Sequence, residues 1–352
     1  GWYYIMCAEG GTGYNHSVTM GRSRKVWGPY EPDPNGPLVT SQPKDSNERA
    51  DDDHLKPRYF NPDSVLQKSG HGSYVDLPNG ETYLVHLTSR PFVPELRCTL
   101  GRETAIQKMQ WTSDGWLRMA DGSNLAKIEV EEPNLPDVPM PEIPNFDDFD
   151  GGELGNWYYS PRQMPSTFAN ATERPGWLRV RGEESLASLN RTSLLTRKLT
   201  SVYATVTTKM EFEPEVYQHS AGLTIYYDNM NNIFLRKYYS QTLGGSAISI
   251  VRLENGEKTE MLDTRVAVED KPIYFRLNIE GRRTWFEWGY DGENWTKIGP
   301  DFDTTTFSDE YCKFGEFTGT MVGIAVTDAS LHEKTADFDF FDYEADETKP
   351  VD

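Results

Sequence analysis

Cysteine is scarce in this 352-residue chain: three residues, Cys7, Cys98 and Cys312, lie far apart and never in a Cys-x-x-Cys pair. That spacing excludes a structural zinc knuckle or a disulfide-dense scaffold, and the odd count leaves at least one thiol unpaired even if one disulfide forms. Long apolar runs are missing too; nothing approaches the roughly 18 consecutive apolar residues of a membrane-spanning helix. Basic charge is in deficit, 35 Lys+Arg against 55 Asp+Glu for a net charge of −20. A nucleic-acid partner is therefore not expected, because a phosphate backbone needs a net basic face. Nor is there a long amphipathic helix: Glu184 to Leu199 has leucines near helical spacing, but Thr, Ser and Asn interrupt it, and strand is preferred there.

What the chain has is aromatic side chains and turn residues. Nine Trp and 19 Tyr argue for packed structure rather than disorder. Dense Gly, Asn, Asp and Pro punctuation divides the sequence into short strand-like stretches. Gly72–Leu77, the turn Pro78-Asn79-Gly80 and Glu81–Leu87 read as a hairpin, and Thr104–Trp111, Ser113-Asp114-Gly115 and Trp116–Met119 as another. Turns at Glu254-Asn255-Gly256, Glu280-Gly281 and Asp291-Gly292 signal more. Arg282–Trp288 reads as a half-buried strand; Trp285 and Trp288, three apart, fall on opposite faces, so at least one is expected in the core. The fold class is all-β.

Residues 131–153 hold five prolines and eight acidic side chains without one Lys or Arg. Such a stretch reads as a solvated, semi-rigid connector. The expected organisation is a first domain over 1–130, a linker over 131–146, a β-sandwich over 147–346 and a tail over 347–352. An apolar run, Trp2 to Ala8, follows Gly1 at once, as in the middle of a fold. About 130 residues suffice for only two or three four-stranded sheets, so the first part is either a small barrel or part of a propeller. The acidic insert Asp51-Asp52-Asp53-His54 is read as a solvated loop rather than a metal cluster.

Three segments have the chemistry of a site. Tyr3–Ala8 is a strand that delivers Glu9 to a glycine-rich turn, Gly10-Gly11-Thr12-Gly13, where a backbone can approach a ligand closely. A half-buried carboxyl there suits general-acid work, or is an ordinary turn residue. The glycines lack the GK[ST] of a phosphate loop. His71 lies between Gly70 and Gly72, as a site imidazole or a loop histidine. Arg102 stands at a strand entrance, fit to grip sugar hydroxyls or a carboxylate, or to form a surface ion pair with Glu103.

Taken in order, Ala8-Glu9-Gly10-Gly11-Thr12, Arg22-Ser23-Arg24 with Gly28-Pro29-Tyr30, Gly70-His71-Gly72 and Gly101-Arg102-Glu103-Thr104-Ala105-Ile106-Gln107 resemble glycoside hydrolase family 43, in particular its two-domain β-xylosidases, some of which also remove α-L-arabinofuranosyl units. Beyond the linker, Phe149-Asp150-Gly151 with Leu154 and Trp157, and Phe317-Thr318-Gly319 with Val322-Gly323, resemble that group's C-terminal domain. The resemblance implies the later blades of a five-bladed β-propeller followed by a concanavalin-like β-sandwich. It implies an inverting exo-glycosidase that releases xylose, or arabinose, from non-reducing ends of xylo-oligosaccharides. Glu9 matches the general acid, Arg102 the arginine that binds the terminal sugar, and His71 a histidine beneath that sugar. Some members hold a divalent cation near that histidine, so calcium near His71 is the one metal implied; no cofactor is required. Phe317, with Phe314 as alternative, matches the aromatic that the sandwich lends to the leaving-group subsite, or is sandwich core.

The family's general-base and pKa-modulating aspartates belong to earlier propeller strands, which leads to the expectation of a second polypeptide carrying those blades. A carbohydrate-binding protein that uses the sandwich without catalysis is the alternative. No membrane partner is expected. The sequons at Asn15, Asn170, Asn190 and Asn294 favour a secreted protein, with a cytoplasmic one as the alternative.

Overall fold

A computed structural model describes residues 1–43, 60–313 and 318–351. The insert Asp51–His54 and the two aromatics Phe314 and Phe317 lie outside the described residues. The chain divides into two compact units, Gly1–Met140 and Pro141–Asp352. Both are built from antiparallel strands, and the described residues contain no α-helix, only two single 3-10 turns at Pro165–Thr167 and Thr304–Thr306.

The first unit is two four-stranded sheets. One joins β1 (Tyr3–Glu9), β2 (Ser17–Ser23) and β3 (Glu31–Pro32), with β4 (Val39–Thr40) pairing farther along β2. The other runs β5 (Gln67–Asp76), β6 (Thr82–Ser89), β7 (Glu103–Trp111) and β8 (Leu117–Met119) in sequence order. The second sheet is the meander of a propeller blade, with turns where Asn79-Gly80 and Asp114-Gly115 supply them; in the first, the short β3 and β4 share the edge of β2. Alternation puts Tyr4, Met6, Val18 and Met20 on one face of the first sheet, and Leu84 and Met109 on the facing side of the second; with Trp116, Leu117 and Met119 they form one core. Burying each such side chain is worth about 1.5–3 kcal/mol. Arg118 clamps Asp33 with two N–H groups, and Arg22 is sandwiched between Trp2 and Trp116 at 4.3 and 4.2 Å from the ring centroids. The chain after β8 then returns, pairing Leu125 with Thr40.

Alternation also leaves apolar side chains on the two outer faces. Tyr3 and Ile5, 50% and 45% exposed, share the outer face of the first sheet. Val75, Val85 and Ile106 do the same on the second.

The proline-rich stretch is anchored at both ends. Tyr83 donates to the Glu131 carbonyl at 3.0 Å and the Asn134 N–H to Glu81 at 2.8 Å. Farther on, Arg197 donates to the Pro144 carbonyl at 2.6 Å and the Tyr343 N–H to that of Asn145 at 2.9 Å.

The second unit is a two-sheet sandwich. One sheet is ordered β10 (Ala169–Asn170), β11 (Leu178–Arg181), β22 (Thr335–Ala345), β13 (Tyr203–Glu211), β18 (Ile273–Glu280), β19 (Arg283–Gly289), β20 (Thr296–Asp303), with β9 (Phe146–Asp147) also on β22. The other is β12 (Ser193–Lys198), β21 (Met321–Asp328), β14 (His219–Asp228), β15 (Asn231–Ser240), β16 (Gly245–Glu254), β17 (Glu257–Ala267). Its core is built from Phe275 and Leu277 on one side and Leu223, Ile225, Leu235 and Ile250 on the other, all at 0% exposure. The final strand of the six-stranded sheet, β17, exposes Glu257, Lys258 and Glu260. Neither Trp285 nor Trp288 is fully buried, contrary to expectation: Phe286 between them fills the core position, and the register on β20 slips between Thr284 and Phe286.

Asp328 closes the sandwich at the end of β21. Its carboxylate accepts main-chain N–H groups from Ser330 (2.9 Å), Leu331 (3.1 Å), Glu333 (2.9 Å) and Lys334 (3.0 Å). Burial works to raise its pKa, but the bonds from Ser330 and from the Lys334 and Glu333 amides hold it well below the usual carboxylate range. Because the folded pKa is depressed, the stabilisation is complete above the ordinary carboxylate pKa of about 4 and fades as pH falls further. Asp328→Ala is expected to cost about 2–4 kcal/mol at pH 7. Calorimetry should show the sandwich melting roughly 5–10 °C lower, with the gap between variant and wild type shrinking below pH 4.

Candidate active site

The segment between β1 and β2 organises the site. Glu9 is the last residue of β1, half-buried and opposite Ser17. Gly10 and Gly11 follow with φ of 79° and 73°. At Gly10 a side chain is excluded twice, by the left-handed backbone and by space, since a Cβ would lie 1.9 Å from the Asn15 carbonyl. The loop thus folds back on itself: the His16 N–H bonds the Gly13 carbonyl at 3.1 Å, the Tyr14 hydroxyl reaches Leu96 at 2.8 Å, and the Gln42 amide donates to Asn15. Asn15 itself is only 8% exposed, so that sequon does not present its amide to solvent.

Arg102 holds the same loop from just ahead of β7. Its Nη2 donates to the Thr12 carbonyl at 2.6 Å and its Nη1 to the Ser89 hydroxyl at 3.3 Å. The surface pairing of Arg102 with Glu103 is not formed; Glu103 is taken by a two-bond pair with Arg90, at 2.7 and 3.1 Å. The main-chain residue Gly101, φ 68°, turns the chain so that consecutive side chains serve these separate ends.

His71 sits in a double irregularity of β5, where pairing with β6 slips on either side of Gly70. Its φ of 55° is left-handed, and its side chain is exposed. Beneath it is a residue that sequence reasoning missed. His16, 0% exposed, lies with its ring 6.3 Å from that of His71 and nearly perpendicular to it. A Cβ on Gly70 would fall 2.4 Å from the His16 ring, so the glycine before His71 makes room for this imidazole. Neither ring nitrogen of His16 has a full hydrogen-bond partner among the described residues. Burial lowers its pKa to about 4; the Lys68 main chain opposes that weakly, and the positive Arg102, His71 and His86 add to it. The available signal was the pair Asn15-His16 directly ahead of an alternating strand, which resembles any loop.

Calcium takes about six to eight hard oxygen ligands. The charged groups around His16 are instead the imidazoles of His71 and His86 and the guanidinium of Arg102, and no group of three or more His, Cys, Asp or Glu among the described residues is placed to hold a metal. None of Cys7, Cys98 and Cys312 is joined in a disulfide.

Glu9, the loop it opens, His71 and Arg102 are thus gathered in the first unit, on two sheets that share one core. Residues 1–117 match the family model for glycosyl hydrolases family 43, and residues 146–344 match the beta xylosidase C-terminal concanavalin A-like domain. The chain belongs to family 43. Among its family 43 relatives, it is 34% identical to a xylan 1,3-beta-xylosidase of a Vibrio species and 35% identical to a xylosidase/arabinosidase of Humicola insolens. In both cases 97% of this chain aligns with 62% of the relative. The crystal structure of xylan beta-1,4-xylosidase from Bacillus halodurans superposes with a TM-score of 0.88 at 41% identity, over 98% of this chain and 63% of that one. The chain therefore spans about three-fifths of the length of these family 43 proteins.

The pKa of His16 gives a test. Its folded value lies below the ordinary 6.5, so the neutral ring is the folded form; stability present above pH 6.5 is lost as pH falls towards about 4. That loss is on the order of 3 kcal/mol. Chemical denaturation between pH 7 and pH 4 should show His16→Gln less stable at neutral pH but with a flatter slope. An unchanged slope would place the titration elsewhere.

Proposed function

We propose that this chain supplies the general acid and the terminal-sugar grip of an inverting exo-glycosidase that releases xylose, or arabinose, from non-reducing ends of xylo-oligosaccharides. The observation that carries the reading is the bond from Arg102 to Thr12, which ties the sugar-binding arginine to the loop that begins at Glu9. In this reading Glu9 gives its proton to the glycosidic oxygen as the bond to C1 breaks, and a water attacks C1 from the opposite face. That water loses its proton to a general base, and two carboxyl groups about 6.5–9.5 Å apart serve the two ends. In this reading Arg102 fixes hydroxyls of the terminal sugar, and His71 forms the floor.

The base and the modulating aspartate are assigned to further propeller blades. What supports this is the pair of apolar outer faces, Tyr3 and Ile5 on one sheet and Val75, Val85 and Ile106 on the other, since stacked blades bury such faces. The relatives carry the matched stretch within one longer chain, so the expectation of a separate second polypeptide draws no support from them.

In the protein with its complete propeller, Glu9→Gln is expected to lower kcat on xylobiose by roughly 10²–10⁴-fold. On an aryl β-xyloside with an activated leaving group, which needs little protonation, the loss should be far smaller. Equal loss on both substrates would make Glu9 structural. Absence of turnover by the wild type on xylosides and arabinofuranosides alike would favour the carbohydrate-binding alternative.

A further inference from the structure

The six-stranded sheet of the second unit has two faces. Leu223, Ile225, Leu235 and Ile250 fill the core side, and the alternate residues of the same strands line a cleft of about 240 Å³ on the other. Its floor is apolar, with Phe234, Val251 and Leu253, and its rim carries Tyr217, 58% exposed. Arg236 from β15 and Glu260 from β17 meet across the intervening β16, with Nη2 and Oε2 3.5 Å apart.

Polar capacity is left over at the Arg236 end. Arg236 Nε, the Ser249 hydroxyl and the Tyr238 hydroxyl are buried without a hydrogen-bond partner among the described residues. All three lie on this face: Ser249 stands directly opposite Arg236 in the β15–β16 register, and the guanidinium lies 4.4 Å over the Tyr238 ring. Tyr238 and Ser249 are 6% and 0% exposed. A buried polar group left unpaired costs about 1–3 kcal/mol. Three such groups on one face make a place that a hydrogen-bonding ligand, or water in its stead, completes.

We infer that this cleft is a second, non-catalytic binding site for a neutral oligosaccharide. Sugars present C–H faces suited to Phe234, Val251 and the Tyr217 ring, and hydroxyls that donate to Glu260 and accept from Arg236. Charge argues for neutrality: Glu260 already faces the guanidinium and opposes a strongly anionic ligand, as does the net charge of −20. The volume lies below the roughly 300–1,000 Å³ of drug-sized sites, so the cleft holds a sugar ring or two of a longer chain. Taking that chain to be a xylo-oligosaccharide rests on the function proposed above.

Titration calorimetry with xylohexaose on the full-length protein tests this. Arg102→Ala, which removes the grip at the reaction site, should leave a saturable binding event. Adding Tyr217→Ala should weaken that event at least tenfold, and Arg236→Met should do likewise with an unchanged melting temperature. Tyr217→Ala alone should leave turnover of an aryl β-xyloside unchanged. Loss of all binding with Arg102→Ala, or binding indifferent to Tyr217, overturns the inference while leaving the proposed hydrolysis intact. Binding that depends on Tyr217 in a protein that turns over no glycoside sustains the cleft and removes the catalytic reading.

Discussion

The first unit depends on a buried imidazole. His16 fills a space that exists because residue 70 has no side chain, and from there it touches both sheets: it directly precedes β2 and supports the irregular stretch of β5. Its main-chain N–H closes the loop after Glu9, and its carbonyl accepts the Thr40 hydroxyl at 3.0 Å, joining β4 to the same point. Close packing makes such a contact hard to change by small steps, since interiors respond to a single methylene. Glu9, His71 and Arg102 are held by elements that converge on this ring, so their spacing is a property of the packed unit rather than of any one loop.

Legibility in the sequence followed the range of the interactions. Hairpins were readable because their turns are local: Asn79-Gly80, Asn255-Gly256 and Asp291-Gly292 demand their backbone shapes wherever they occur. Glu9, His71 and Arg102 could be nominated from the sequence because short motifs carry them in a fixed order. His16 was not, because its meaning comes from Gly70, far along the chain, and from a slip in pairing that no alternation pattern records. The partner of Glu103 was not legible for the same reason: the alternative reading of Arg102 as its surface partner is not realised, and Arg90 arrives instead from the end of β6. The two tryptophans of β19 failed differently: alternation holds along β19, which pairs with β18 without a slip, and Trp288 shares the face of Phe286, yet it stands near the strand end and is only half-buried.

The two units use β-structure for different ends. In the first, a pair of sheets packs face to face and leaves apolar side chains outward. In the second, the sheets close on each other, and the outward face of one of them is neither bare nor fully sealed: Leu186 and Leu194 cover one part with Tyr226 and Phe234, and the cleft occupies another. Polar atoms that close packing would ordinarily pair are left over beside that cleft, whereas Asp328 at the end of β21 has its carboxylate saturated. The contrast within one sheet separates a group that secures the fold from groups with capacity to spare.

The charged strand β17 has a consequence for the protein in company. Its outer edge carries unpaired main-chain groups, an open invitation for another chain to add a strand. Glu257, Lys258 and Glu260 stand exposed along it. A copy approaching in extended register would have to strip water from those charges, so the edge discourages aggregation at high concentration while costing the fold little.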